Sequence, residues 1–142
     1  MITAFDADVL IYVAVAGHPL GDRVAALLDA DQSERGRASA SIGSVLLLTE
    51  VLAKPLRAGA DSGESAALVS LLSRLELRPF DQATARLALA LAVSYGLRAA
   101  DAAHLATAVA AGADRFLTNN RKDFPKRIVE IDVMYPDELP PL

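Results

Sequence analysis

Five short runs rich in apolar or β-branched residues punctuate this chain: Ile2 to Phe5, Arg37 to Ile42, Leu77 to Phe80, Arg115 to Thr118 and Ile128 to Ile131. Between most of them lie longer stretches whose apolar residues recur at helical spacing. Strands that alternate with helices pair in parallel through crossover connections. The order therefore predicts an α/β fold, a three-layer α/β/α sandwich with a central parallel sheet of about four to five strands.

The helical stretches carry their own start and stop signals. DADVLIYVAVAG reads as a short helix halted at Gly17. After a His18-Pro19-Leu20-Gly21 turn, Val24, Leu27 and Leu28 mark a second helix to Asp31, and QSERGR at 32–37 is a polar loop. Ser44 is placed to cap a helix carrying Leu46, Leu47, Glu50, Val51 and Leu52, ended by Pro55. Asp61 to Leu75 is amphipathic. Asp81 caps a helix that stops at Tyr95-Gly96, and the last helix ends at Gly112; both glycines are expected at positive φ. The tail from Tyr135 reads as loop or docking segment. With no internal repeat and no linker, residues 1–142 form one domain.

A chain of 142 residues can bury roughly two-thirds of its unfolded surface in one core. It contains no cysteine, which excludes a disulfide scaffold, a thiolate zinc site and a Cys nucleophile. The N-terminus has no basic segment, and Asp6 and Asp8 interrupt its apolar stretch. No apolar run reaches the roughly 18 residues a membrane span requires, so a soluble, cytoplasmic protein is expected. A net charge of −4 argues against a general nucleic-acid coat. It leaves room for a local site, because bound divalent cations reverse the potential around clustered carboxylates.

Four acids stand where their surroundings make an acid unexpected. Asp6 ends an apolar strand, Glu50 interrupts a Leu/Val helix face, Asp101 sits among alanines, and Asp123 follows a polar turn. Converging carboxylates repel unless a cation or shared protons intervene, and hard divalent cations prefer their oxygens. Each acid also has an ordinary reading: Asp6 and Asp101 as helix caps, Glu50 as an ion-pair partner, Asp123 as a solvated turn residue.

FDADVLIY at 5–12, LTEVLAKP at 48–55 and LRAADAAHLATAVAAGADRFLTNNRKDF at 97–124 resemble the three signature blocks of the PIN-domain family, in order and spacing. The resemblance spans nearly the whole chain, and the long third block is its most specific part. It implies a parallel sheet covered by helices on both sides, an acidic pocket for Mg²⁺ or Mn²⁺ made by Asp6, Glu50, Asp101 and Asp123, and cleavage of single-stranded RNA to 5′-phosphate and 3′-hydroxyl ends. A large branch of the family comprises VapC-type toxins with a cognate antitoxin, so an antitoxin partner is implied too. A metal so held would activate a water and stabilise the leaving oxygen, with no protein nucleophile. Two departures bear on the site: Asp8 stands where the family often has Asn or Ser, and Asn120 where some members have an acid.

Beside these acids, Thr118 and Asn119 are candidates for holding a water or phosphate oxygen, and turn chemistry explains the asparagines equally well. Arg121 and Lys122 are the leading phosphate contacts, with Lys126 and Arg127 nearby; Arg98, Lys54 and Arg57 are weaker ones. His104, one turn after Asp101, is assigned to packing, and His18 to solvent. The Leu- and Val-rich helices at about 44–75 exceed what one buried face needs, which fits core packing or a homodimer or antitoxin groove. The expected function is a ribonuclease toxin. Its rivals are a housekeeping RNA-processing nuclease, an inactive PIN-fold module that binds RNA or protein, and a phosphatase using Asp6 and Asp8 as an Asp-x-Asp pair.

Overall fold

The computed structural model describes residues 1–33 and 40–142, with the side chains of residues 32 and 33 left out. Five parallel strands form one sheet: β1 (Ile2–Phe5), β2 (Ala40–Ser44), β3 (Glu76–Arg78), β4 (Arg115–Leu117) and β5 (Asp132–Met134), in the order β3-β2-β1-β4-β5. Among the described residues six helices accompany them: α1 (Ala7–Ala14), α2 (Pro19–Ser33), α3 (Leu47–Ala58), α4 (Gly63–Ser73), α5 (Gln82–Tyr95) and α6 (Ala99–Ala110). The three-layer parallel α/β fold expected from the alternation is present.

Side-chain alternation along the central strands divides the core in two. Ala4 and Phe116 face one layer, with Leu91, Leu105, Phe124 and Val133; Phe5 and Leu117 face the other, with Val9, Leu10, Leu28, Leu47 and Leu72. In α6 every residue from Ala102 to Ala108 is buried, and the many alanines let the helix lie close to its neighbours.

Several boundaries differ from the sequence reading. Pro55 lies inside α3, which continues to Ala58. Proline removes one backbone donor, but buried Pro55 packs against the core side of α3 and the helix runs on. Ser44 ends β2 and does not cap α3: its hydroxyl accepts from the Leu46 N–H at 3.1 Å, and the N-cap position is Leu46, without a side-chain bond. The fifth strand begins at Asp132, not Ile128. Ile128 and Ile131 are both core residues, while the alternation that makes a strand starts later, with Val133 inward and Asp132 outward. The third strand is likewise shifted, to Glu76–Arg78. The second helix runs to Ser33, and the remainder of the expected polar loop, with the first residues of the strand expected from Arg37, lies outside the described residues. The tail docks: Tyr135 and Leu139 are buried around a short 3₁₀ turn at Pro136–Glu138, and the Tyr135 hydroxyl donates to the Phe124 carbonyl at 2.8 Å.

Gly96 and Gly112 have φ of 68° and 70°, as their place after helices requires. Among the described residues no helix is long and apolar enough to cross a membrane.

Candidate active site

The sheet order places a topological switch between β1 and β4. The chain builds outward from β1 through β2 to β3, then returns to add β4 and β5 on the other side. The crevice beyond the carboxyl ends at such a switch is where open α/β sheets bind ligands. Asp6 directly follows β1 and Thr118 directly follows β4, and the Asp6 N–H donates to the Leu117 carbonyl at 3.0 Å.

Asp6 is 4% exposed. One carboxylate oxygen caps α1 by accepting from the Ala7 N–H at 2.8 Å, and the other accepts from the Thr118 hydroxyl at 2.8 Å. The cap reading of Asp6 is thus correct and does not compete with a place in the pocket. Burial nevertheless pushes its carboxyl above the usual carboxylate range, against the Thr118 bond. Asp101, in the first turn of α6, is raised by burial and by the charges of Asp6, Asp123 and Glu50. These influences mark all four acids as one electrostatic cluster.

Glu50, in the first turn of α3, points at α6, where its Oε2 meets His104 Nε2. The hydrogen bond from His104 holds the Glu50 carboxyl below its ordinary value. Burial alone would lower the His104 imidazole, but the bond to Glu50 and the charges of Glu50, Asp6 and Asp101 outweigh it and raise it. His104 Nδ1 is buried with no partner among the described residues. In the neutral ring the proton therefore belongs on Nε2, because a bare acceptor is cheaper to bury than an orphaned N–H donor. His104 is buried, as a packing role requires, yet its ring also forms part of the cluster. Ligand atoms of Asp6, Glu50 and His104 all lie within 4.8 Å of one another. The sequence signal for this was the Asp101–His104 spacing of one turn; the pairing to Glu50 had no local signal.

The turn after β4 ties the remaining groups together. Asn120 N–H donates to the Thr118 hydroxyl oxygen at 3.1 Å, and its side-chain amide donates to Asp123 Oδ2 at 2.9 Å while accepting from the Asp123 N–H at 3.3 Å. Asn120 thus fixes Asp123 beside the pocket. Asn119 N–H donates to Asp8 Oδ2 at 3.1 Å, so Asp8 anchors the turn from α1. Burial first, and the Asp6 charge second, push Asp8 up to about 7.

The basic residues divide. Arg121 pairs with Asp137 at 2.7 Å and lies 4.3 Å over the Tyr135 ring, so its guanidinium is engaged with the C-terminal segment. Lys126 bonds the Val133 carbonyl and Glu138, and Arg127 lies over Tyr95. Lys122 is exposed.

The model of the PIN domain family matches residues 4–128, and the chain belongs to that family. Its fold is similar to that of a chain in VapBC2 from Rickettsia felis, determined bound to a DNA fragment from their promoter, with a TM-score of 0.73, 21% identity, and coverage of 95% of this chain and 98% of that one. It is also similar to a chain of FitAcB from Neisseria gonorrhoeae (TM-score 0.68, 22% identity, 98% and 100% covered). A toxin–antitoxin complex from Klebsiella pneumoniae gives a TM-score of 0.60 at 21% identity, with 94% and 97% covered. Comparison with curated protein sequences finds no significant match.

Proposed function

We propose that this protein is a single-domain, Mg²⁺- or Mn²⁺-dependent ribonuclease that cleaves single-stranded RNA, and that it is the cytoplasmic toxin of a type II toxin–antitoxin pair. The observation that carries the reading is the cluster at the switch of the sheet: ligand atoms of Asp6, Glu50 and His104 lie within 4.8 Å of one another, Asp101 feels the charges of Asp6 and Glu50, and Thr118 holds Asp6. PIN domains are generally nucleases, and the structural neighbours include toxin–antitoxin complexes.

The donor set fits a divalent cation: carboxylate oxygens of Asp6 and Glu50 and the His104 imidazole nitrogen lie together, and the Asp101 carboxylate is near enough to feel their charges. Such an ion supplies Lewis-acid activation of water and of the scissile phosphoryl group. Thr118 and Ala7 hold both oxygens of Asp6, so its carboxylate cannot turn away from the pocket. His104 keeps Glu50 ionised and aimed at the same point. Asp101 and Asp123 complete the acidic set. We assign phosphate contacts to Thr118, Asn119 and Lys122 of the turn after β4, with Arg121 joining them only by leaving Asp137.

Exposed apolar side chains remain on the helical layers, including Leu48 and Leu56 of α3 and Val69 of α4. We assign them to a homodimer contact or to the antitoxin. The test is incubation of a mixed RNA pool with purified protein and Mn²⁺, with analysis of the product ends. Metal-dependent products with 5′-phosphates, suppressed by the product of an adjacent antitoxin-like reading frame, are expected. Intact RNA under every metal condition would overturn the enzymatic reading, and cleavage that no product of an adjacent reading frame suppresses would overturn the toxin assignment.

A further inference from the structure

Tyr12 and His18 stack at the corner between α1 and α2, with ring centroids 4.3 Å apart and planes within 9° of parallel. Both rings are half-buried, so His18 does not stand free in solvent as its place beside a turn suggested, and neither ring belongs to either hydrophobic core. Their order is nonetheless fixed from three directions. His18 Nδ1 accepts from the Leu20 and Gly21 N–H groups, each at 3.2 Å, so the ring caps α2 and presents Nε2 as its donor. Gly21 lies so near the backbone of α1 that a Cβ there would stand 2.2 Å from the Tyr12 carbonyl oxygen. The Tyr12 hydroxyl accepts from the Asn119 side-chain amide at 3.1 Å.

That last bond sets the pair's position. Asn119 follows Thr118, whose hydroxyl holds Asp6, and its own N–H is held by Asp8. A rigid aromatic pair outside the core is therefore coupled, through one turn, to the acidic pocket. Ile11 on α1 and Val15 at its C-cap, near it in the chain, are exposed apolar side chains. Pre-ordered flat rings beside a phosphate-handling site match what an unpaired nucleobase needs, since single-stranded RNA is held largely by stacking on aromatic side chains.

We propose that the Tyr12–His18 stack is a nucleobase platform that takes one unpaired base of a single-stranded RNA next to the acidic pocket. This rests on the ribonuclease reading for the substrate and deepens it, by placing a contact to the base in addition to contacts with the backbone. Both residues would bind substrate at the base, away from the reacting phosphate.

The test has two arms. In the first, single-stranded 12-mers carrying 5-iodouridine at successive positions are irradiated with the wild-type protein in chelator, and the crosslinked residues are mapped by mass spectrometry. Crosslinks at Tyr12 or His18 from one position are expected; crosslinks confined to other residues, or none, would overturn the platform. In the second, KM and kcat are compared for 12-mers with single abasic substitutions. An abasic site at the crosslinking position should raise the wild-type KM roughly ten- to hundredfold with little change in kcat. Tyr12→Leu should raise KM for intact RNA similarly and erase the abasic effect. Tyr12→Phe, which keeps the ring but loses the bond to Asn119, should restore most of it, and His18→Asn, which keeps a cap for α2, should show the intermediate loss of half the stack. Equal KM for every abasic 12-mer, with cleavage normal, would sink the platform and leave the nuclease standing. Crosslinks at the pair without cleavage of any RNA would do the reverse.

Discussion

Asp8 and Asp101 retain protons that free carboxyls would lose, and this has a measurable consequence for stability. Burial and the Asp6 charge raise Asp8 to about 7, far above the ordinary aspartate value of 3.8. Between those two values the folded, metal-free protein holds a proton that the unfolded chain has released, so stability is greatest below the window and falls as pH rises through it. Melting curves in chelator from pH 4 to 8 should show that decline, and Asp8→Asn should flatten it; an unchanged slope would remove Asp8 as its source. The Asp101 carboxylate accepts no hydrogen bond among the described residues and feels the like charges of three neighbours. Asp101→Asn should therefore raise the metal-free melting temperature slightly while lowering cleavage by at least roughly 10²-fold, more than loss of an outer partner costs. His104→Gln loses the partner that aims Glu50, and the Mn²⁺ needed for half-maximal rate should rise about tenfold. Asp6, Glu50 and Asp101 stand out in the sequence because each breaks an apolar pattern, whereas Asp123, after a polar turn, stands out only through the block it closes. The His104–Glu50 pair was not legible, because it joins positions 54 residues apart that only the packing of α3 against α6 brings together.

At the scale of elements, existence and order were readable and ends were not. The capping residues Asp81, Gly96 and Gly112 act within a few bonds of themselves, so their roles followed from local chemistry. Pro55 and the fifth strand depend on what lies across the core, which no local window contains. Gly21 is another such position, needed because α2 crosses the backbone of α1 without room for a side chain. Gly21→Ala should destabilise the protein by about 1–3 kcal/mol in urea, since the atom it would strike is backbone and cannot rotate away. Gly112→Val forces a β-branched residue to positive φ and should cost at least ~1 kcal/mol, with metal affinity per folded molecule unchanged. A Gly21→Ala protein as stable as the wild type would show that the two helices can separate freely.

For the molecule as a whole, strand–helix alternation implied a layered parallel fold, and the switch point of the strand order that the structure adopts places Asp6 and the Thr118–Asp123 turn side by side. Burial and neighbouring charge hold Asp6, Asp8 and Asp101 toward their protonated forms, and the proposed cation would displace protons from this cluster. The most direct test is the initial rate of single-stranded RNA cleavage as Mn²⁺ is titrated in, then withdrawn with chelator, for wild type and Asp101→Asn in parallel. Saturable activation of the wild type, full reversal by chelator and loss of both in the folded variant are predicted. Cleavage that persists in chelator, or a near-normal rate for Asp101→Asn, would contradict the metal-centred account.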